Sequence, residues 1–157
     1  MTLRISKLKL DRLILQGQIK AARELAKSLP EVIKDRVRSG QGLNGALQSL
    51  STSYVKFRER YRRRLSKFTD PGASNLTATG QMLNAIKGIA SRTLIRISIT
   101  GTRKKELSGS SSKLSNNKVR EYVEKDRPFF ELTDNERKLA EEIATDIIKK
   151  ELRKAFK

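Results

Sequence analysis

The side chains best suited to making and breaking bonds are missing from this sequence: its 157 residues include no cysteine and no histidine. Disulfides, thiolate nucleophiles and imidazole bases are thereby excluded, and so are the usual zinc sites. Carboxylates, hydroxyls and amines remain. A metal-dependent nuclease needs carboxylates converging on two cations. Glu141 and Glu142 are adjacent in a helical stretch and so diverge, while Glu121, Glu124 and Asp126 alternate with Arg120, Lys125 and Arg127 as solvated ion pairs do. Ser-x-x-Lys occurs at Ser53/Lys56, Ser110/Lys113 and Ser115/Lys118, without the companion motifs of serine acyl-transfer enzymes. Gly40-Gln41-Gly42-Leu43-Asn44-Gly45 matches the dinucleotide fingerprint, but a helical pattern precedes it where the fingerprint needs a strand. Asn75-Leu76-Thr77 is a glycosylation sequon, expected to go unused because no secretory signal is recognisable. The expectation is a protein with no catalytic residue, no cofactor and no metal.

The densest constellation is basic. Lys56, Arg58, Arg60, Arg62, Arg63, Arg64 and Lys67 are interleaved with Phe57 and Tyr61. Such a run suits contacts to a phosphate backbone, which give affinity without sequence choice, or to an acidic protein surface. A solvated helix explains it equally well. The net charge of +18 is unevenly spread: 26 basic against 7 acidic residues through Arg120, then 9 against 10 from Glu121 onward. A field of this kind favours nucleic acid or acidic partners and says nothing about fold.

The elements that must carry these residues follow from periodicity. Met1 to Leu10 alternates loosely, as a short strand or extended arm would. From Asp11, the residues Leu15, Ile19, Ala22, Leu25, Leu29, Ile33 and Val37 recur at helical spacing. Pro30 is expected to kink or divide this helix, and Gly40 and Gly42 to end it. Gly40 to Ser53 reads as a loop and Tyr54 to Lys67 as a second, basic helix. Asp70-Pro71-Gly72 signals a turn. Thr79 to Lys87 predicts a short helix capped by Thr77 or Thr79, with Met82, Leu83 and Ile86 inward and Gly88 closing it. Arg92 to Thr100 is the clearest strand, with Ile95, Ile97 and Ile99 opposite Arg96, Ser98 and Thr100. Ser108 to Asn117 reads as a mobile polar loop, and Lys118 to Lys125 as a helical turn. Phe129 and Phe130 point to opposite faces of an extended stretch, one inward and one free to meet another subunit.

Thr133-Asp134-Asn135-Glu136 forms a capping box for the last helix, residues 134–156. Leu139, Ala140, Ile143, Ile147, Leu152 and Phe156 follow as its expected inward stripe. Long helices at both ends with a small β element between them predict one α+β domain, two amphipathic helices covering one face of a short antiparallel sheet. No apolar run approaches the roughly 20 residues that span a bilayer, so a soluble protein is expected.

Three stretches together resemble the phage tail-completion or neck proteins, a family of virion-morphogenesis proteins. Leu50-Ser51-Thr52-Ser53-Tyr54, with Leu47 before it and Arg58 after, is similar to the family's Leu-Ser-x-x-Tyr…Arg segment. Leu76-Thr77-Ala78-Thr79-Gly80-Gln81-Met82-Leu83, with Ile86, is similar to its Leu-x-x-Thr-Gly-x-Leu…Ile segment. Val119 to Glu124 followed by Arg127-Pro128-Phe129-Phe130-Glu131-Leu132 looks like the Arg-Pro-Phe stretch that leads into the C-terminal helix. Lys125-Asp126 departs from the usual glycine-containing link. The resemblance implies a ring of identical subunits at the junction of capsid and tail, contacting portal (connector) and tail proteins. It also implies residence in the virion after assembly in host cytoplasm, and no catalysis; if the basic helix lines the channel of such a ring, packaged DNA is a further expected partner. Arg127, Phe129 and Phe130 are then candidates for the subunit interface. A sequence-nonspecific nucleic-acid-binding packaging factor is the competing expectation.

Overall fold

The computed structural model describes residues 7–66, 69–103 and 114–154. In chain order these form helix α1 (Lys7–Arg38), strands β1 (Gln41–Gly42) and β2 (Gly45–Ala46), helix α2 (Thr52–Arg60), a 3-10 turn (Arg62–Arg64), helix α3 (Gln81–Asn84), strands β3 (Ile86–Ser91) and β4 (Leu94–Ile99), and helices α4 (Asn116–Glu124) and α5 (Asp134–Arg153). The arrangement is α+β, with the long first and last helices against a small antiparallel sheet. Contacts group the chain into two compact units, one holding residues 1–30, 88–97 and 133–157, the other 31–87 and 98–132.

In the first unit, small residues set the spacing. Ala21, Ala22, Leu25, Ala26 and Leu29 are buried along α1. A Cβ on Gly17 would come 3.1 Å from the Ile148 Cα, so the backbones of α1 and α5 approach closely there. Lys20 and Glu151 close the same contact at 2.7 Å. Gly88 on β3 lies harder still against α1: a Cβ there would stand 2.0 Å from the Ala26 carbonyl oxygen. That carbonyl is the one Pro30 cannot bond, because proline lacks the N–H that residue i+4 normally offers. Pro30 therefore stays within α1 without ending it, and the carbonyl it releases meets a strand position where only glycine fits. The strands join through Arg92 and Thr93, with Arg92 in the left-handed region at φ +53°.

The second unit is built around Ile33, Val37, Leu83, Ile86 and Phe129, all at most 1 % exposed. β1 and β2 pair antiparallel, Gln41 with Ala46 and Gly42 with Gly45. Their hairpin rests on the Pro128 carbonyl, which accepts from the Leu43 N–H at 2.9 Å. Arg36 donates to the carbonyls of Phe129 (3.0 Å) and Glu131 (2.6 Å), pinning that extended segment to the end of α1.

Several expectations change. Lys7 to Leu10 are helical, whereas the expected strand or arm over residues 1–6 lies outside the described residues. The dinucleotide-like Gly40–Gly45 stretch is a β-hairpin after a helix, with Gly40 and Gly45 supplying positive φ. α3 is only four residues long; its N-cap is Gly80 at φ +70° with no side-chain cap, and Ile86 to Gly88 belong to β3. Thr77 caps nothing, because its hydroxyl is spent on Asn75 Oδ1 at 2.6 Å. Arg92 and Thr93 form the turn rather than the start of β4. The mobile-loop expectation falls largely outside the described residues, Ser110/Lys113 with it, while Asn116 already opens α4. The capping box is present, with Glu136 N–H donating to Thr133 Oγ1 at 3.3 Å and Thr133 N–H to Glu136 Oε2 at 2.7 Å. The α5 stripe is not a buried one: no described residue of α5 is buried, and Leu139 and Ile143 are 48 % and 37 % exposed. Phe156 lies outside the described residues.

Candidate functional site

The basic run does not form one helix. Ser51 caps α2 by accepting from the Tyr54 N–H at 3.3 Å, and the helix ends at Arg60. Tyr61 then turns the chain into the 3-10 segment Arg62–Arg64. With three residues per turn, the three consecutive arginines point in directions about 120° apart. Lys56, Arg60, Arg62, Arg63 and Arg64 are exposed; Lys67 lies outside the described residues.

Tyr54, Phe57 and Tyr61 run alongside at helical spacing. Their ring centroids are 6.1 Å apart (nearly parallel) and 5.0 Å apart (edge-on). Tyr54 and Phe57 are 40 % and 37 % exposed, and the Arg64 guanidinium sits 5.5 Å from the Tyr61 ring centre. Exposed aromatic faces bordered by arginines can stack on bases or anchor a protein partner.

Arg58 has the opposite role. It is 2 % exposed, and its guanidinium donates to the carbonyls of Ala73 (2.8 Å) and Asp70 (3.2 Å). Burial pulls it below its ordinary pKa, with Tyr54 and Asp70 acting in the other direction. The residue ties α2 to the Asp70–Ala73 turn, where Gly72 N–H donates to Asp70 Oδ1 at 2.9 Å. This removes Arg58 from the expected contact surface. The buried guanidinium is spent on backbone carbonyls, one of which, that of Asp70, also accepts from the Ala73 N–H at 3.1 Å.

The expected interface residues also divide. Phe129 is fully buried and serves the core, which corrects its reading as a subunit contact. Phe130 is half-buried, with the Arg120 guanidinium 5.0 Å from its ring centre. Arg127 donates to the carbonyls of Gln48 (3.1 Å) and Ser49 (3.2 Å), so it clamps the stretch ahead of α2. Asn75, the sequon asparagine, is buried.

Sequence reasoning missed what these clamps enclose. A cavity of about 180 Å³ in the second unit is walled by Leu50, Leu76, Met82, Val119 and Val123, with Arg58, Arg103 and Arg127 on its lining and no carboxylate. Leu76 is held at φ +51° beside it. Its walls come from 50–58, 76–82, 103 and 119–127, stretches that periodicity could assign only to separate elements. No cluster of three or more potential metal ligands occurs among the described residues, and no described helix is long and apolar enough to cross a membrane. No family model, curated protein or solved structure matches the chain.

Proposed function

We propose that the chain is a non-catalytic structural subunit of a phage neck, assembling as a homo-oligomeric ring at the capsid–tail junction against portal (connector) and tail proteins. The observation that carries this reading is the use made of the polar side chains in the three motif-like stretches. Arg58, Thr77 and Arg127 hold backbone and neighbouring side chains in one compact unit. They spend on architecture the polar groups that an enzyme would aim at substrate. Modest contacts suffice in a ring, since symmetry repeats each of them.

The exposed Lys56, Arg60, Arg62, Arg63 and Arg64 give such a ring a positive surface toward packaged DNA or an acidic neighbour. The same arginines beside Tyr54, Phe57 and Tyr61 support the second reading, a packaging factor that binds nucleic acid without sequence preference. Negative-stain microscopy of particles assembled without the chain separates them. Full heads detached from tails are expected for the neck subunit; joined particles with empty heads favour the packaging factor.

A further inference from the structure

We propose that α5 of one copy docks into the arginine-lined cavity of another, making the subunit interface heterologous. This rests on the ring reading and deepens it by naming the two surfaces that meet.

The cavity is the receiving half. Its Arg58 side chain is 2 % exposed, and the Nε has no hydrogen-bond partner in the structure. That orphan donor lies beneath the surface, so what Arg58 offers an incoming group is its positive field rather than an open hydrogen bond. Arg103 contributes a guanidinium with no hydrogen bond or ion pair among the described residues, its backbone N–H alone being engaged, by Leu114. Arg127 adds a third cation. The apolar volume of about 180 Å³ exceeds the roughly 150 Å³ that accepts a benzene ring, so one branched aliphatic side chain fits. The chemistry sought is an apolar knob with carboxylates beside it.

That chemistry is displayed on α5. Between Asp134 and Asp146 the chain carries five carboxylates and two bases, against a strongly basic remainder. Leu139, Glu142, Ile143 and Asp146 lie zero, three, four and seven residues apart, hence on one helix face, and all four are exposed. The opposite side of the helix is engaged with α1 through Ile148 and Glu151. Leu139 or Ile143 enters the cavity, and Glu142 and Asp146 meet Arg103 and Arg127. A net charge of +18 would otherwise keep copies apart, so association needs such a local complement. A plug and a socket formed by different surfaces of the chain propagate head to tail, and they complete a ring when the rotation between copies closes.

The test uses the full chain, with Arg103→Glu disabling the socket and Leu139→Lys disabling the plug. Among the described residues neither side chain makes a hydrogen bond or ion pair, so folding should survive, as circular dichroism will verify. In sedimentation velocity the wild type forms oligomers, and each variant weakens association on the order of a hundredfold. An equimolar mixture of the two variants forms a one-to-one dimer and nothing larger, since each keeps one working surface. A mixture that stays monomeric overturns the inference, and so does a wild type that is monomeric throughout. Variants that assemble like the wild type also overturn it while leaving the ring reading intact. Failure of the ring reading is registered separately, by normally joined particles in the absence of the chain.

Discussion

Replacing Arg58 distinguishes a buried clamp from a contact residue. Arg58→Ala removes donors from the carbonyls of Ala73 and Asp70, which they reach at 2.8 and 3.2 Å. Hydrogen bonds from a charged donor contribute about 1.5–3 kcal/mol each, and the pair is not additive. Against this stands the desolvation of a guanidinium that burial already pulls below its ordinary pKa, a cost that removal recovers. The exposed Asp70 can also turn its carbonyl to water. A net loss of about 2–4 kcal/mol follows. With a urea dependence of about 2 kcal/mol per molar, the unfolding midpoint falls by about 1–2 M. Arg58→Lys, able to reach only one carbonyl, should recover about half of the loss. Urea titration followed by circular dichroism measures both. An unchanged midpoint together with weakened DNA binding would refute the clamp and return Arg58 to the contact surface.

Three further outcomes are expected. Gly88→Ala places a Cβ 2.0 Å from the Ala26 carbonyl oxygen and should destabilise the fold by about 3 kcal/mol or more in urea titration, as backbone overpacking does. Thr133→Ala removes the side chain that accepts from the Glu136 N–H and should cost about 1 kcal/mol in the same assay. Glu151 is held below the ordinary carboxylate range by its hydrogen bond from Lys20, then by that from Lys154. A depressed carboxylate stabilises the fold above its unfolded-state pKa, and that contribution is lost as pH falls through the folded value. Thermal melts of Glu151→Gln should accordingly depend less on pH below neutrality than the wild type's, with the difference shrinking in high salt.

Local signals in the sequence carried far. The Leu25–Leu29–Ile33–Val37 stripe, the Asp70-Pro71-Gly72 turn and the Thr133…Glu136 box are each written within a few residues, and each appears as expected. Pro30 was less legible. Whether it breaks a helix depends on what meets the freed Ala26 carbonyl, and Gly88 stands 62 positions further on. The site was half legible for the same reason. Charge density located Lys56 to Arg64, yet nothing local separates Arg58, which faces the Asp70–Ala73 carbonyls, from Arg60, which faces solvent. Helical spacing predicted the α5 stripe without saying that Leu139 and Ile143 would stay partly exposed. The cavity was invisible, because Leu76 and Val123 meet only through tertiary structure.

The proposed neck role is tested most directly by searching for the chain in the intact virion by cryo-electron microscopy. A closed ring of density between portal and tail, accommodating repeated copies of this fold, is the expected result. Mature particles whose junction is complete and holds no copy of the chain would contradict it.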